Sequence, residues 1–94
     1  MEQSARDELV NVLKALSDQT RMKIIELLLE RGHKMCVNAL AGQLDITQSA
    51  VSQHLRILRQ AGLVESDRNG YYVHYSVNKD RIEMIKEMLG NLLV

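Results

Sequence analysis

The apolar positions of this chain keep a helical period nearly throughout, broken by one strand-like stretch between Leu63 and Val77. Leu9, Val12, Leu13 and Leu16 share one face of a helix over about residues 5–16. Ser17 or Asp18 offers the N-cap of a second helix, which would turn Met22, Ile25, Leu28 and Leu29 inward and end at Gly32. A shorter third helix fits about residues 37–44, and Asp45 with Ile46 makes a short link. Thr47 is a good N-cap for a fourth helix from Gln48 to about Ala61, ended by Gly62.

Leu63, Val64 and Glu65 then read as a strand, Arg68-Asn69-Gly70 as a turn, and Tyr71 to Val77 as a second strand. Asn-Gly between β-rich runs is a strong hairpin signal, because both residues tolerate positive φ. A last helix over about residues 79–93 carries Ile82, Ile85, Leu89 and Leu92 on one stripe, with Met88 beside it. The predicted order is α-α-α-α-β-β-α, a mainly α fold with a β-hairpin wing. A short helix, a tight link and a polar-faced helix followed by a hairpin are the parts of a winged helix-turn-helix. No repeat or linker interrupts them, so residues 1–94 read as a single domain.

With 46% hydrophobic and 26% charged residues, the composition is that of a globular chain and not of a disordered one. Apolar runs such as Leu27–Leu29 are too short to span a membrane. Met1-Glu2-Gln3-Ser4 lacks the basic and apolar regions of a signal peptide. The lone Cys36 cannot close an internal disulfide. These features predict a cytoplasmic protein. The net charge of +0 counts against a nucleic-acid ligand, whose binders usually carry a basic excess. The distribution of charge counts the other way. No acid lies between Ile46 and Val64, a stretch that holds Arg56 and Arg59. Glu2, Asp7, Glu8, Glu26, Glu30, Glu83 and Glu87 all lie elsewhere, so a neutral chain can still present a locally positive face.

That face belongs to the fourth helix. At about 100° per residue, Val51, Leu55 and Leu58 fall together toward a core. Ser49, Ser52, Gln53, Arg56 and Gln60 cluster on the far side, where each can donate hydrogen bonds and none is acidic. Side chains of this kind near a helix N-terminus enter a major groove about 12 Å wide and read base edges. Gln48, at the helix start, suits bidentate pairing with adenine, and Arg56 suits guanine or phosphate. The hydroxyls of Thr47 and Ser52 suit phosphate, as do the N–H groups of the first turn. The plain alternative is an ordinary solvated face, but a face of this length usually carries some Glu. At the predicted hairpin tip, Arg68 would reach a phosphate or the adjacent minor groove, with Asn69 beside it. There the alternative is a surface turn with one charge. Some of Tyr71, Tyr72 and Tyr75 are expected to pack on the core rather than touch DNA.

Several stretches resemble the ArsR/SmtB family of winged-helix repressors. They are Ala15-Leu16-Ser17-Asp18-Gln19-Thr20-Arg21 with Ile24 to Leu28, then Leu40-Ala41, then Thr47-Gln48-Ser49-Ala50-Val51-Ser52-Gln53-His54-Leu55 with Leu58. Ala61-Gly62-Leu63-Val64 and the wing ending Tyr75-Ser76 continue the match, which spans nearly the whole chain in order. Gln19 stands where the family usually has proline, at an early helix position that does not require it. The resemblance implies a repressor of double-stranded DNA in which Gln48, Ser49, Ser52 and Gln53 read an inverted-repeat operator. It also implies a homodimer built from the first and last helices. Leu9, Leu13, Ile82, Ile85, Leu89 and Leu92 would then form the interface. In the family an inducer releases the DNA.

At the inducer site the match fails. The family's arsenic- and lead-type sensors carry Cys-Val-Cys at the start of the third helix. Here the run is Met35-Cys36-Val37-Asn38, with Asn38 in place of the second thiol. Zinc-type members use an acid and histidines on the last helix, which here offers Asp80, Glu83 and Glu87 but no His. Thiol-switch members use two cysteines. His33 and Cys36 are too few for a structural zinc. No metal site and no cofactor are therefore expected, and Cys36 reads either as a helix-start packing residue or as a one-thiol sensor. His54 reads as a phosphate neighbour or surface residue, and His74 as a strand residue. A winged-helix module that binds protein instead of DNA is the competing function. An enzyme is set aside, since no Gly-rich phosphate loop, metal triad or nucleophile–base–acid set stands in the sequence.

Overall fold

The computed structural model describes residues 1–31 and 34–94. The predicted helix stop at Gly32 and the pairing of His33 with Cys36 lie outside the described residues. The elements are α1 (Gln3–Leu16), α2 (Gln19–Arg31), β1 (Met35–Cys36), α3 (Val37–Leu44), α4 (Gln48–Gln60), β2 (Val64–Asn69), β3 (Tyr72–Val77) and α5 (Lys79–Leu92). This is the expected winged helix-turn-helix, with one strand added. β1 pairs antiparallel with β3, Met35 facing Tyr75 and Cys36 facing His74, so the sheet order is β1-β3-β2. Two residues hold too little alternation to be read as a strand from sequence.

Local chemistry sets the helix ends. Asp18, not Ser17, caps α2: its Oδ2 accepts the Arg21 N–H at 3.0 Å. Thr47 Oγ1 accepts the Ala50 N–H at 3.1 Å, and Asn78 Oδ1 accepts the Arg81 N–H at 3.1 Å. Asp45 closes α3 in the left-handed region at φ 54°, a conformation that Asp tolerates. The end of α4 is a Schellman closure. Gly62 donates to the Arg59 carbonyl at 2.9 Å, and Leu63 donates to that of Leu58 at 3.0 Å. Gly62 sits at φ +77°, and the fully buried Leu58 and Leu63 supply the apolar contact that accompanies such a closure.

The core lies where α1, α2, α3, α4 and the sheet meet, around Val12, Ile24, Leu40, Val51, Leu55, Leu58 and Leu63. Burying each such side chain contributes about 1.5–3 kcal/mol. In α2 the inward stripe is Ile24, Ile25 and Leu28. Met22 and Leu29, expected inside, are each 48% exposed. The expected stripe included two correct positions and missed that Ile24 completes them. In the second strand Tyr75 packs on the core, while Tyr71 and Tyr72 are exposed.

Candidate nucleic-acid interface

Helix α4 is held from behind and open in front. Val51, Leu55 and Leu58 are fully buried, and Thr47 fixes the first turn. Ser49, Ser52, Gln53, Arg56 and Gln60 are all exposed on the far side, with Gln48 and Arg59 exposed at its flank. A rigid backing and an open donor surface are what a major-groove reader needs, because side chains on a fixed helix approach base edges at fixed spacing. Each of the six residues expected on this helix, from Thr47 to Arg56, is accessible.

His54 lies off that face. Its Nδ1 is 3.3 Å from Arg21 Nη1 and 3.8 Å from Asp18 Oδ2. Arginine only donates, so Nδ1 is the acceptor in this contact. Arg21 Nε also donates to the Ala15 carbonyl at 2.6 Å. Asp18, Arg21 and His54 thus tie the start of α2 to the back edge of α4. This gives His54 a structural partner and orients α4. The Arg21 N–H, followed by the Arg21 charge, holds the Asp18 carboxyl below its ordinary range against the opposing effect of burial.

The wing differs from expectation by one residue. Asn69 pairs with Tyr72, so Gly70 and Tyr71 are the central residues of the turn, and Arg68 and Asn69 belong to β2. In the turn only Gly70 has positive φ, at +67°. This is the pattern of a type II′ turn with Gly first, whereas an Asn69-Gly70 turn would have placed its centres one residue earlier. Tyr71, 98% exposed, stands at the tip in place of Arg68. The sequence signal for this was present: Asn-Gly and Gly-Tyr both offer a Gly-containing turn, and only strand register separates them.

Cys36 is the N-cap residue of α3, partly buried and free. It stands across β3's His74, which in turn faces Asp67 on β2. Among the described residues no group of three or more His, Cys, Asp or Glu is gathered for a metal ion.

The residues expected at a dimer interface divide. Leu9 and Ile85 are only 3% and 4% exposed and belong to the subunit's own core. Ile82 and Leu89 are partly buried against it. Leu13 and Leu92 are open, and Val10, Met84 and Leu93 are open with them. A cleft of about 390 Å³ between α1 and α5 is lined by Met1, Ala5, Met88, Asn91 and Leu92. Among the described residues no helix is long and apolar enough to cross a membrane.

Residues 18–66 match the family described as bacterial regulatory protein, arsR family. The transcriptional repressor SdpR of Bacillus subtilis (strain 168) is 41% identical over 68 residues, covering 72% of this chain and 73% of that protein. An ArsR-like transcriptional regulator from Rhodococcus sp. RHA1 superposes with a TM-score of 0.85 at 29% identity, covering 95% of this chain and 82% of the other. The homodimeric winged helix-turn-helix DNA-binding domain of Mb0332 from Mycobacterium bovis has a TM-score of 0.79 at 26% identity, covering 95% and 82%. Family match, relative and folds agree with the capped, open-faced α4 and the hairpin: the chain belongs to the bacterial arsR family of transcriptional regulators.

Proposed function

We propose that this protein is a sequence-specific repressor that binds double-stranded DNA as a homodimer on an inverted-repeat operator. The observation that carries this reading is the face of α4, a row of exposed donors without an acid on a helix whose other side is fully buried. Gln48, Ser49 and Gln53 face the bases, while Thr47, Ser52 and Arg56 serve bases or phosphates. The wing, led by Tyr71 with Arg68 and Asn69 behind it, lies toward the neighbouring groove. The open apolar residues Val10, Leu13, Met84 and Leu92 on α1 and α5 supply a surface for a second subunit. A two-fold pair would present its reading helices about 34 Å apart, one turn of the duplex. Such a regulator works in the cytoplasm, beside the genome.

The test is selection of duplexes from a random pool followed by anisotropy titration. Wild type should enrich an inverted repeat. The double change Gln48→Ala, Gln53→Ala should lose preference by about 1–3 kcal/mol for each base contact removed. A double variant with unchanged affinity and preference would show that α4 is not the reader. A wild type that enriches no duplex would favour a module that binds protein.

A further inference from the structure

The outer face of α4 does not end at Arg56. Ser52, Leu55, Arg56, Arg59 and Gln60 border an open cleft of about 410 Å³ whose other wall is Tyr75 of β3. No carboxylate lines it. Arg56 and Arg59 are exposed, and among the described residues neither enters an ion pair.

The sheet sorts its charges around this cleft. The ladder sets Val64 opposite Val77, Ser66 opposite Tyr75 and Arg68 opposite Val73. Side chains alternate along a strand, so Ser66, Arg68 and Tyr75 share the face of the buried Val64. Glu65 and Asp67 take the opposite face, where Lys34 Nζ lies 2.5 Å from Asp67 Oδ2. Arg59 also borders the depression that holds Glu65 and Asp67, but it pairs with neither. Tyr75 is thus on the cleft side of the sheet with Arg68 on the same face, while of the two acids on the other face Asp67 is held by Lys34 and Glu65 lies in the neighbouring depression.

We propose that this cleft seats a phosphate of the DNA backbone, with Arg59 and Tyr75 as contacts beside Arg56 and Ser52. The proposal rests on the duplex-binding reading of α4. A duplex that takes α4 into its major groove and the wing toward the adjacent minor groove must pass the strand dividing those grooves between helix and wing. The cleft lies at that crossing. Two guanidiniums and two hydroxyls match the non-bridging oxygens of a phosphodiester, and they hold it without reading sequence. A free phosphate shares that chemistry, so the test separates the two sources.

Arg59→Gln and Tyr75→Phe are made in the full chain, with thermal melts to confirm folding. Each is titrated with the selected duplex and an unrelated one between about 50 and 200 mM salt. Arg59→Gln removes the contact from both subunits of the dimer, so it should weaken both duplexes by the same factor, about tenfold per contact, and lower the slope of log K against log salt by about 0.9 per contact, about 1.8 in all. Tyr75→Phe should weaken both duplexes alike with the slope kept. The inference is overturned, with the reading of α4 intact, if Arg59→Gln keeps wild-type affinity and slope while Gln48→Ala, Gln53→Ala loses preference. It is overturned too if inorganic phosphate shifts Arg59 and Tyr75 resonances in wild type while Arg59→Gln leaves duplex binding unchanged. A wild type that binds no duplex would overturn the underlying reading and this one with it.

Discussion

Arg81 Nε lies 3.1 Å from the point that a Cβ would occupy on Gly62. The same guanidinium pairs with Glu8 of α1 and donates to the Ala61 carbonyl at 3.4 Å, so one side chain of α5 touches α1 and the end of α4. Its Nε is buried and, among the described residues, has no hydrogen-bond partner, so the space over Gly62 is already tight. Gly62→Ala should therefore destabilise the fold twice over, through an L-residue at φ +77° and through pressure on Arg81. The backbone part alone costs about 1–2 kcal/mol. Gly42 provides the contrast. It is exposed inside α3 with nothing within 4 Å of a Cβ, so Gly42→Ala should stabilise by about 0.5–1 kcal/mol. Urea unfolding of the two variants should move in opposite directions.

The Asp18 cap makes a prediction with a sign. Its carboxyl is held below its ordinary value of 3.8, first by the Arg21 N–H and then by the Arg21 charge. A group depressed in the folded state lends stability above its unfolded pKa and loses it as pH falls through the folded one. Asp18→Asn keeps a capping oxygen but removes the charge. The variant should be less stable than wild type at about pH 7, and the gap should close as pH drops below about 4. A gap that stays constant across that range would mean that the charge contributes nothing beyond the cap.

The order of elements and the exposed, acid-free face of α4 were legible because they rest on local signals. Thr47, the acid-free run from Ile46 to Val64 and the Gly62 stop each act within a few residues. What was not legible depends on partners distant in sequence. β1 exists only because Met35 and Cys36 find β3, some forty residues on. The wing tip moved from Arg68 to Tyr71 because strand register, not dipeptide preference, chooses the turn. Leu9 and Ile85 show the same limit. A helical stripe says that residues are covered, and not whether the cover is the subunit's own core or a second chain.

That distinction yields a paired test of the homodimer. Leu13 and Leu92 are 40% and 55% exposed, so a charge there should leave the subunit folded while opposing association. Leu13→Glu is expected to sediment as a folded monomer at micromolar concentration and to lose duplex affinity, since a single reading helix remains. Ile85→Glu instead buries a carboxylate in the core and should unfold the subunit. A wild type that sediments as a folded monomer at micromolar concentration would overturn the proposed dimer. So would Leu13→Glu remaining dimeric.

The last prediction concerns signal sensing. A high-affinity soft-metal site is built from several thiolates, or from imidazoles joined by thiolate or carboxylate. This chain has a single cysteine, and α5 carries Asp80, Glu83 and Glu87 without a histidine. Cys36 faces His74 across β1 and β3, which brings one sulfur and one ring to neighbouring register positions. Asp67, the next residue across the sheet, is already held by the Lys34 ammonium, which also keeps its carboxyl below the usual range. Two free donors are short of the four that a closed zinc site takes. We therefore expect submicromolar arsenite, zinc or cadmium to leave duplex binding unchanged, in wild type and in Cys36→Ser alike. Release of the duplex by one of these ions, abolished in Cys36→Ser, would overturn the prediction. A mild oxidant is the informative companion. Cys36 is partly buried at a helix start and pairs with His74 of β3, so an added oxygen there would act beside the β1–β3 pairing. Oxidant-driven release that Cys36→Ser abolishes, with no response to metal, would identify a one-thiol switch.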